Sequence, residues 1–214
     1  MAMDAIDPKG NSQRSGRTRK GLDTRQRIRD AAIELFAKNG FHATSLSDIS
    51  ERAEIQRGAL YYHIHAKEQL LFEIVSEPTE FVLEQARSIA NEPLPATERF
   101  RRLLVFQTQA VLDRRDQLVI FIRDGNALTG ARRDKLRQVQ ADVEDIWSSV
   151  LREGQDAGEL RHIDPVALKS IILLVNSPYS WYQSGGRLDS KEVGEIIADL
   201  VMSGIGPSSL RDAE

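Results

Sequence analysis

TSLSDISERAEIQRGALYYHIHAK, the stretch from Thr44 to Lys67, decides how this chain folds. Ser45 followed by Asp48 is an [ST]-x-x-[DE] capping box, which starts a helix near Leu46. Leu46, Ile49 and Ala53 then share one helical face. Ile55 and Gln56 make a turn. A second short helix over about Arg57 to Ile64 buries Leu60 and Ile64 at i, i+4 spacing, leaving Arg57, Gly58, Ala59, Tyr61, Tyr62 and His63 outside. Two short helices on a tight turn are the layout of a helix-turn-helix, whose second helix enters the DNA major groove.

The outward set on that second helix suits nucleic acid. Tyrosine hydroxyls and imidazole N–H groups can meet phosphate oxygens, and Gly58 lets the backbone approach a duplex closely. Arg57 can pair bidentately with a guanine edge. The alternative is a small surface helix whose rings lie over the core.

The flanks bear on that choice. Upstream, Ile28, Ala31, Ala32, Leu35 and Phe36 form an apolar stripe at helical spacing within 23–39. Asn39-Gly40 ends that helix, and Phe41 is placed to close a small core. Downstream, another helix starts at about Lys67. A lysine in a first turn opposes the helix dipole, so Lys67 is either beside an anionic partner or a plain surface lysine.

The run from about Thr24 to Leu71 resembles the DNA-binding domain of the TetR family of bacterial transcriptional regulators. The matching positions are Ala31-Ala32…Leu35-Phe36, Gly40-Phe41, Thr44…Ile49…Ala53, Gly58…Leu60-Tyr61-Tyr62-His63 and Lys67-Glu68…Leu70. In this resemblance Glu54 stands where a glycine is usual and Gln56 where a capping serine is usual. Ile64 replaces a phenylalanine and Ala66 a polar cap. The resemblance implies DNA contacts at Thr44, Arg57, Gly58, Tyr61, Tyr62, His63 and Lys67.

The 214-residue length suits one medium domain or two small ones. Leu, Ala, Glu and Arg dominate, which favours an all-α protein. No run approaches the ~18 apolar residues of a membrane span, and the start MAMDAIDPKG lacks the apolar core of a signal peptide. The absence of cysteine excludes disulfides and thiol chemistry and fits a reducing, cytoplasmic setting. The net charge of −3 hides an asymmetry. Residues 9–67 carry 12 Lys/Arg against 6 Asp/Glu, and residues 68–214 carry 17 against 24. A basic front on an acidic body confines DNA affinity to one end.

Residues 1–21 lack apolar periodicity and read as a disordered basic arm, either a solvated tail or a reach towards DNA. The helix-turn-helix domain occupies 22–66, an effector-binding and dimerisation domain 67–206, and a tail 207–214. After Lys67 a helix continues to about Ala90, with Pro78 suggesting a kink or break. Asn91 to Pro95 is a loop. Helices follow over about Thr97–Arg114, Asp116–Asp124 and Arg132–Ala157. Asp164-Pro165 starts a nearly apolar helix that Ser184-Gly185-Gly186 ends. The last begins at Ser190 and carries Val193, Ile196, Ile197, Leu200 and Val201 on one face. The expectation is three N-terminal helices and a C-terminal bundle of about six. The last two are too apolar for ordinary surface helices. Either they pair with their copies in a homodimer, which the resemblance favours, or they are fully internal.

Enzyme chemistry finds little support. There is no P-loop, no G-x-S-x-G and no cofactor fingerprint. His63 and His65 face different ways on a helix and cannot share a metal, so no catalytic, metal or cofactor site is expected. A pocket between bundle helices is the expected small-molecule site. Its candidate liners are Phe81, Phe106, Phe121, Ile122, Trp147, Asn176, Trp181 and Tyr182, residues more often core than ligand contact, with Arg123 beside them. Arg123 either meets an acidic effector or pairs with Asp124 or Asp116. Ser180-Trp181-Tyr182-x-x-Gly185-Gly186-x-Leu188-x-x-x-x-Val193 resembles TetR-family regulators of lipid, sterol or aromatic degradation that answer to acyl-CoA thioesters. The expected function is a ligand-responsive repressor on a palindromic double-stranded operator. The alternatives are an activator or ligand-independent binder, and, from other classes, a helical interaction module or an enzyme.

Overall fold

The computed structural model describes the backbone over residues 9–206 and side chains from residue 22. It is all-α: nine α-helices and two short 3₁₀ turns among the described residues. They form two compact units, divided between Ile74 and Val75.

In the first unit, α1 (Lys9–Asn39) precedes α2 (Leu46–Arg52), α3 (Arg57–His63) and the opening turns of α4 (Lys67–Ala90). Backbone helix thus begins well before Asp23, the expected start. The stretch is rich in Lys and Arg, which are good helix formers, and has no proline after Pro8. The first eight residues of the expected arm, and the tail 207–214, lie outside the described residues. Gly40 ends α1 at φ 92°, a conformation open to glycine, with its N–H on the Phe36 carbonyl. Ile28, Ala32, Phe36, Ile49, Leu60, Ile64, Leu70, Leu71 and Ile74 are buried, and Phe41 meets Phe36 edge-on at 5.4 Å. Lys67 and Glu73 of α4 also bond within this unit, to the Phe41 and Thr44 carbonyls and to Arg25.

In the second unit α4 runs unbroken through Pro78. Pro78 removes one backbone N–H and crowds the preceding turn, yet the helix continues through it, with Thr79 Oγ1 donating to the Val75 carbonyl at 2.6 Å beside it. Then come α5 (Ala96–Asp113), α6 (Arg115–Asp124), a 3₁₀ turn (Gly125–Ala127), α7 (Gly130–Asp156), α8 (Pro165–Asn176), a second 3₁₀ turn (Ser177–Ser180) and α9 (Ser190–Ile205). The core gathers Phe100, Leu103 and Leu104 of α5, Trp147, Val150 and Leu151 of α7, Leu168, Ile171 and Val175 of α8, and Val193, Ile197, Ala198 and Val201 of α9. Phe100 meets Trp147 edge-on at 5.5 Å. Arg101 of α5 ties α9 through Glu195 and through Asp199 at 2.6 Å.

Two expectations change here. α8 ends at Asn176, well before Ser184, because Pro178 cannot continue the hydrogen-bond ladder and the chain tightens into a 3₁₀ turn. The single apolar face expected on α9 is two faces. Val193, Ile197 and Val201 point inward, while Ile196 and Leu200 are exposed. The outer face of α8 likewise exposes Val166 and Leu173. Among the described residues, no helix is long and apolar enough to cross a membrane.

Candidate DNA-binding face and effector cavity

The helix-turn-helix forms as its sequence dictates. Asp48 N–H donates to Ser45 Oγ at 3.1 Å and Ser45 N–H returns to Asp48 Oδ2 at 2.8 Å, a complete capping box. The Ser45 backbone N–H holds the Asp48 carboxyl below its ordinary range. Ala53 caps α2. Glu54 then turns the chain at φ 52°, the left-handed region that side chains disfavour. α3 follows, with Leu60 and Ile64 buried.

The outer side of α3 collects five of the expected DNA contacts. Arg57 and Gly58 are exposed at its start, and a Cβ on Gly58 would stand in open space. Tyr61 is exposed and Tyr62 is 81% exposed. His63 is half-buried, its ring edge-on to Tyr62 at 5.2 Å. A cation, two phenols and an imidazole on one open helix suit phosphate and base-edge contacts.

The other two lie off this face. Thr44 is 1% exposed, and its hydroxyl donates to the Gly40 carbonyl at 2.8 Å. Its side chain holds the end of α1 to the start of α2. Lys67 directs its ammonium to the carbonyls of Phe41 and Thr44, each at 2.7 Å, and stands 4.3 Å over the Phe41 ring. The partner that explains a first-turn lysine is thus the protein's own backbone. Thr44 and Lys67 brace the loop ahead of α2, and the spacing could not reveal this because those carbonyls converge only in the fold.

In the second unit a cavity of about 390 Å³ lies among α4, α5, α6, α7 and α8. The structure brings Phe121, Ile122, Trp147 and Asn176 to its wall, with Val75, Pro78, Val82, Val111, Leu118 and Ile172. The remaining candidates lie elsewhere. Phe81 packs near Phe106, ring centres 6.0 Å apart, and neither lines the cavity. Arg123 pairs with the buried Asp124 at 3.1 Å. Trp181 is 58% exposed and Tyr182 packs against the core. Both follow the early end of α8, which turns them away from the wall.

The polar lining was missed: Gln107, Arg114, Gln117, Gln140 and Glu144. Arg114 stands 4.3 Å over the Phe81 ring, which steadies its guanidinium. Gln107 donates to Asn176 Oδ1 at 2.9 Å. One signal was available: Gln107 sits four residues after Leu103 and four before Val111, a polar residue inside an apolar stripe. Arg114 carries no such mark. A cavity that is apolar with a few convergent polar groups is the usual form of a small-molecule site.

Comparison with known proteins agrees with both halves. The family model "Bacterial regulatory proteins, tetR family" matches residues 28–74. The model "Tetracyclin repressor-like, C-terminal domain" matches residues 93–205. The HTH-type transcriptional repressor KstR2 of Mycolicibacterium smegmatis is 26% identical over 187 residues, 86% of this chain and 91% of that protein. The structure of the ketosteroid transcriptional regulator KstR2 of Mycobacterium tuberculosis aligns with a TM-score of 0.81 at 25% identity, covering 86% of this chain and 95% of that one. AibR, solved with isovaleryl coenzyme A and operator DNA, aligns with a TM-score of 0.72 at 26% identity, covering 86% and 98%.

Proposed function

This chain belongs to the TetR family of bacterial regulatory proteins and is a DNA-binding transcriptional regulator, not an enzyme; from that premise we propose that it is a cytoplasmic repressor that a small acidic or acyl-thioester effector releases from a palindromic operator. The carrying observation is the cavity walled by Phe121, Trp147 and Asn176 with Arg114 in its lining. Its apolar wall suits an acyl chain or fused rings, and the guanidinium suits a carboxylate or thioester oxygen. Its volume is at the small end of ligand sites, so the nucleotide of a CoA thioester would extend outside it.

DNA is read by Arg57, Gly58, Tyr61, Tyr62 and His63 on α3. Two copies joined through the outer faces of α8 and α9 present two such helices to successive major grooves, about one helical turn, ~34–36 Å, apart. The effector acts by binding one arrangement of the heads better than another.

Titrating a panel of CoA thioesters and their free acids against the protein on its selected operator tests this reading. The expected result is release by some members, with Arg114→Met blunting the response. No release and no thermal shift across the panel would remove the acyl effector.

A further inference from the structure

We propose that Arg27 is a positioning residue for the DNA-reading helix, clamping from α1 the strained turn between α2 and α3. Its guanidinium Nη2 donates to the Ala53 carbonyl at 2.5 Å and to the Glu54 carbonyl at 3.1 Å. The Glu54 carboxylate is 3.9 Å from the same nitrogen. Ala53 and Glu54 are the peptides at which the chain leaves α2 and swings into α3.

That turn is poorly held by its own residues. Glu54 is the non-glycine residue at positive φ among the described residues, at 52°. Its side chain is 86% exposed, so no packing holds it in that conformation. Gln56, at the start of α3, makes no side-chain cap hydrogen bond. α3 has seven residues, too few to stand as a helix on its own. Its direction depends on the two buried anchors Leu60 and Ile64 and on the turn. The backbone bonds Glu54 N–H to Glu51 O and Ile55 N–H to Ser50 O tie the turn to α2 but not to α1. Arg27 supplies that link, and as a cation on the last carbonyls of a helix it is favourably placed. About two turns further along α1, Arg52 Nε meets Glu34 at 3.0 Å and fixes the same end of α2. Arg57, Tyr61 and Tyr62 can meet a duplex in register only if this turn is fixed.

The rival role for an arginine near this face is direct phosphate contact, and salt dependence separates the two. The experiment measures full-length Arg27→Met against a duplex selected with the parent and against a scrambled duplex, across a salt series. A positioning role is expected to weaken the selected duplex by about tenfold, the size of a lost charge-assisted hydrogen bond. The scrambled duplex should change less, and the slope of log K against log salt should hold. Adding Glu54→Gly removes the left-handed penalty and should restore most of the loss. A slope lower by about 0.9 would make Arg27 a phosphate contact and overturn the proposal. So would unchanged affinity, equal loss on both duplexes, or failure of Glu54→Gly to rescue. If Arg27→Met unfolds at the assay temperature, Arg27→Lys, which keeps the charge on a shorter side chain without the planar guanidinium, is judged by the same criteria.

Discussion

Gly194 of α9 lies directly against Val105 of α5: a Cβ on Gly194 would stand 2.9 Å from the Val105 carbonyl oxygen and 3.3 Å from its Cα. The neighbour is backbone, so it cannot swing aside. Gly194→Ala gains about 1 kcal/mol of helix propensity yet forces α9 off α5, and overpacking of this kind costs about 1–3 kcal/mol. Arg101, bridging to Glu195 and Asp199 just after this contact, would be pulled with it. The net expectation is a loss of stability with a thermal midpoint a few degrees lower, and a larger loss for Gly194→Val. Circular dichroism melts check this; a midpoint at or above the parent's for both variants contradicts the close approach.

Lys67 separates bracing from DNA contact. With its ammonium on two backbone carbonyls, Lys67→Met should destabilise the fold by about 1–3 kcal/mol, the scale of hydrogen bonds to a charged group. Urea unfolding reads that loss. At a temperature where the variant remains folded, the salt slope of operator binding should match the parent's. A slope lower by about 0.9 with an unchanged urea midpoint would instead place a phosphate on Lys67.

Glu159 gives the second unit a pH dependence. Its carboxylate accepts the Thr97 backbone N–H at 3.0 Å and the Thr97 hydroxyl at 3.1 Å, capping the start of α5. The Thr97 backbone N–H, as the largest cause, holds the Glu159 carboxyl below its ordinary range. A depressed folded pKa contributes stability that is present above the unfolded carboxylate range and is lost as pH falls through the folded value. Glu159→Gln should therefore be less stable than the parent at pH 7, with the gap narrowing as the pH falls below the ordinary glutamate range and through the lowered folded value. Urea midpoints across that fall in pH test it; a gap that is constant with pH would mean that the charge of Glu159 does not matter.

The legible parts of this chain were those encoded by near neighbours. The Ser45/Asp48 box, Gly40 at the end of α1, the inward Leu60 and Ile64, and the outward Arg57, Tyr61 and Tyr62 all follow from spacing within two helical turns. The illegible parts depended on residues brought together by the fold. Thr44 and Lys67 gain their internal hydrogen bonds only once the Phe41–Thr44 loop closes. Trp181 leaves the cavity because Pro178 ends α8 early, which the apolar run from Val166 to Val175 concealed, and Arg114, between α5 and α6, lines it with no mark in the sequence. Ile196 and Ile197, adjacent and alike, take opposite faces, and only the packing of α9 on α5 assigns them.

That last distinction shapes the test of the dimer. Charge at Ile197 would not report on an interface, because Ile197 is 8% exposed and belongs to the core. A glutamate there would unfold the second unit by burying an unpaired charge. Leu200, 65% exposed, and Ile196, four residues earlier on the same outer face, are the informative positions, with Leu173 on α8. Exposed leucines and isoleucines gathered on two adjacent helices are what an isologous two-fold interface covers. Ile196→Glu with Leu200→Glu should leave the circular dichroism spectrum and the melt nearly unchanged if the monomer stands alone, while light scattering falls from dimer to monomer mass. Operator affinity should fall with it, since one head makes half the contacts, and the salt slope should drop towards half its parent value. A double variant that still scatters as a dimer would move the interface away from α8 and α9.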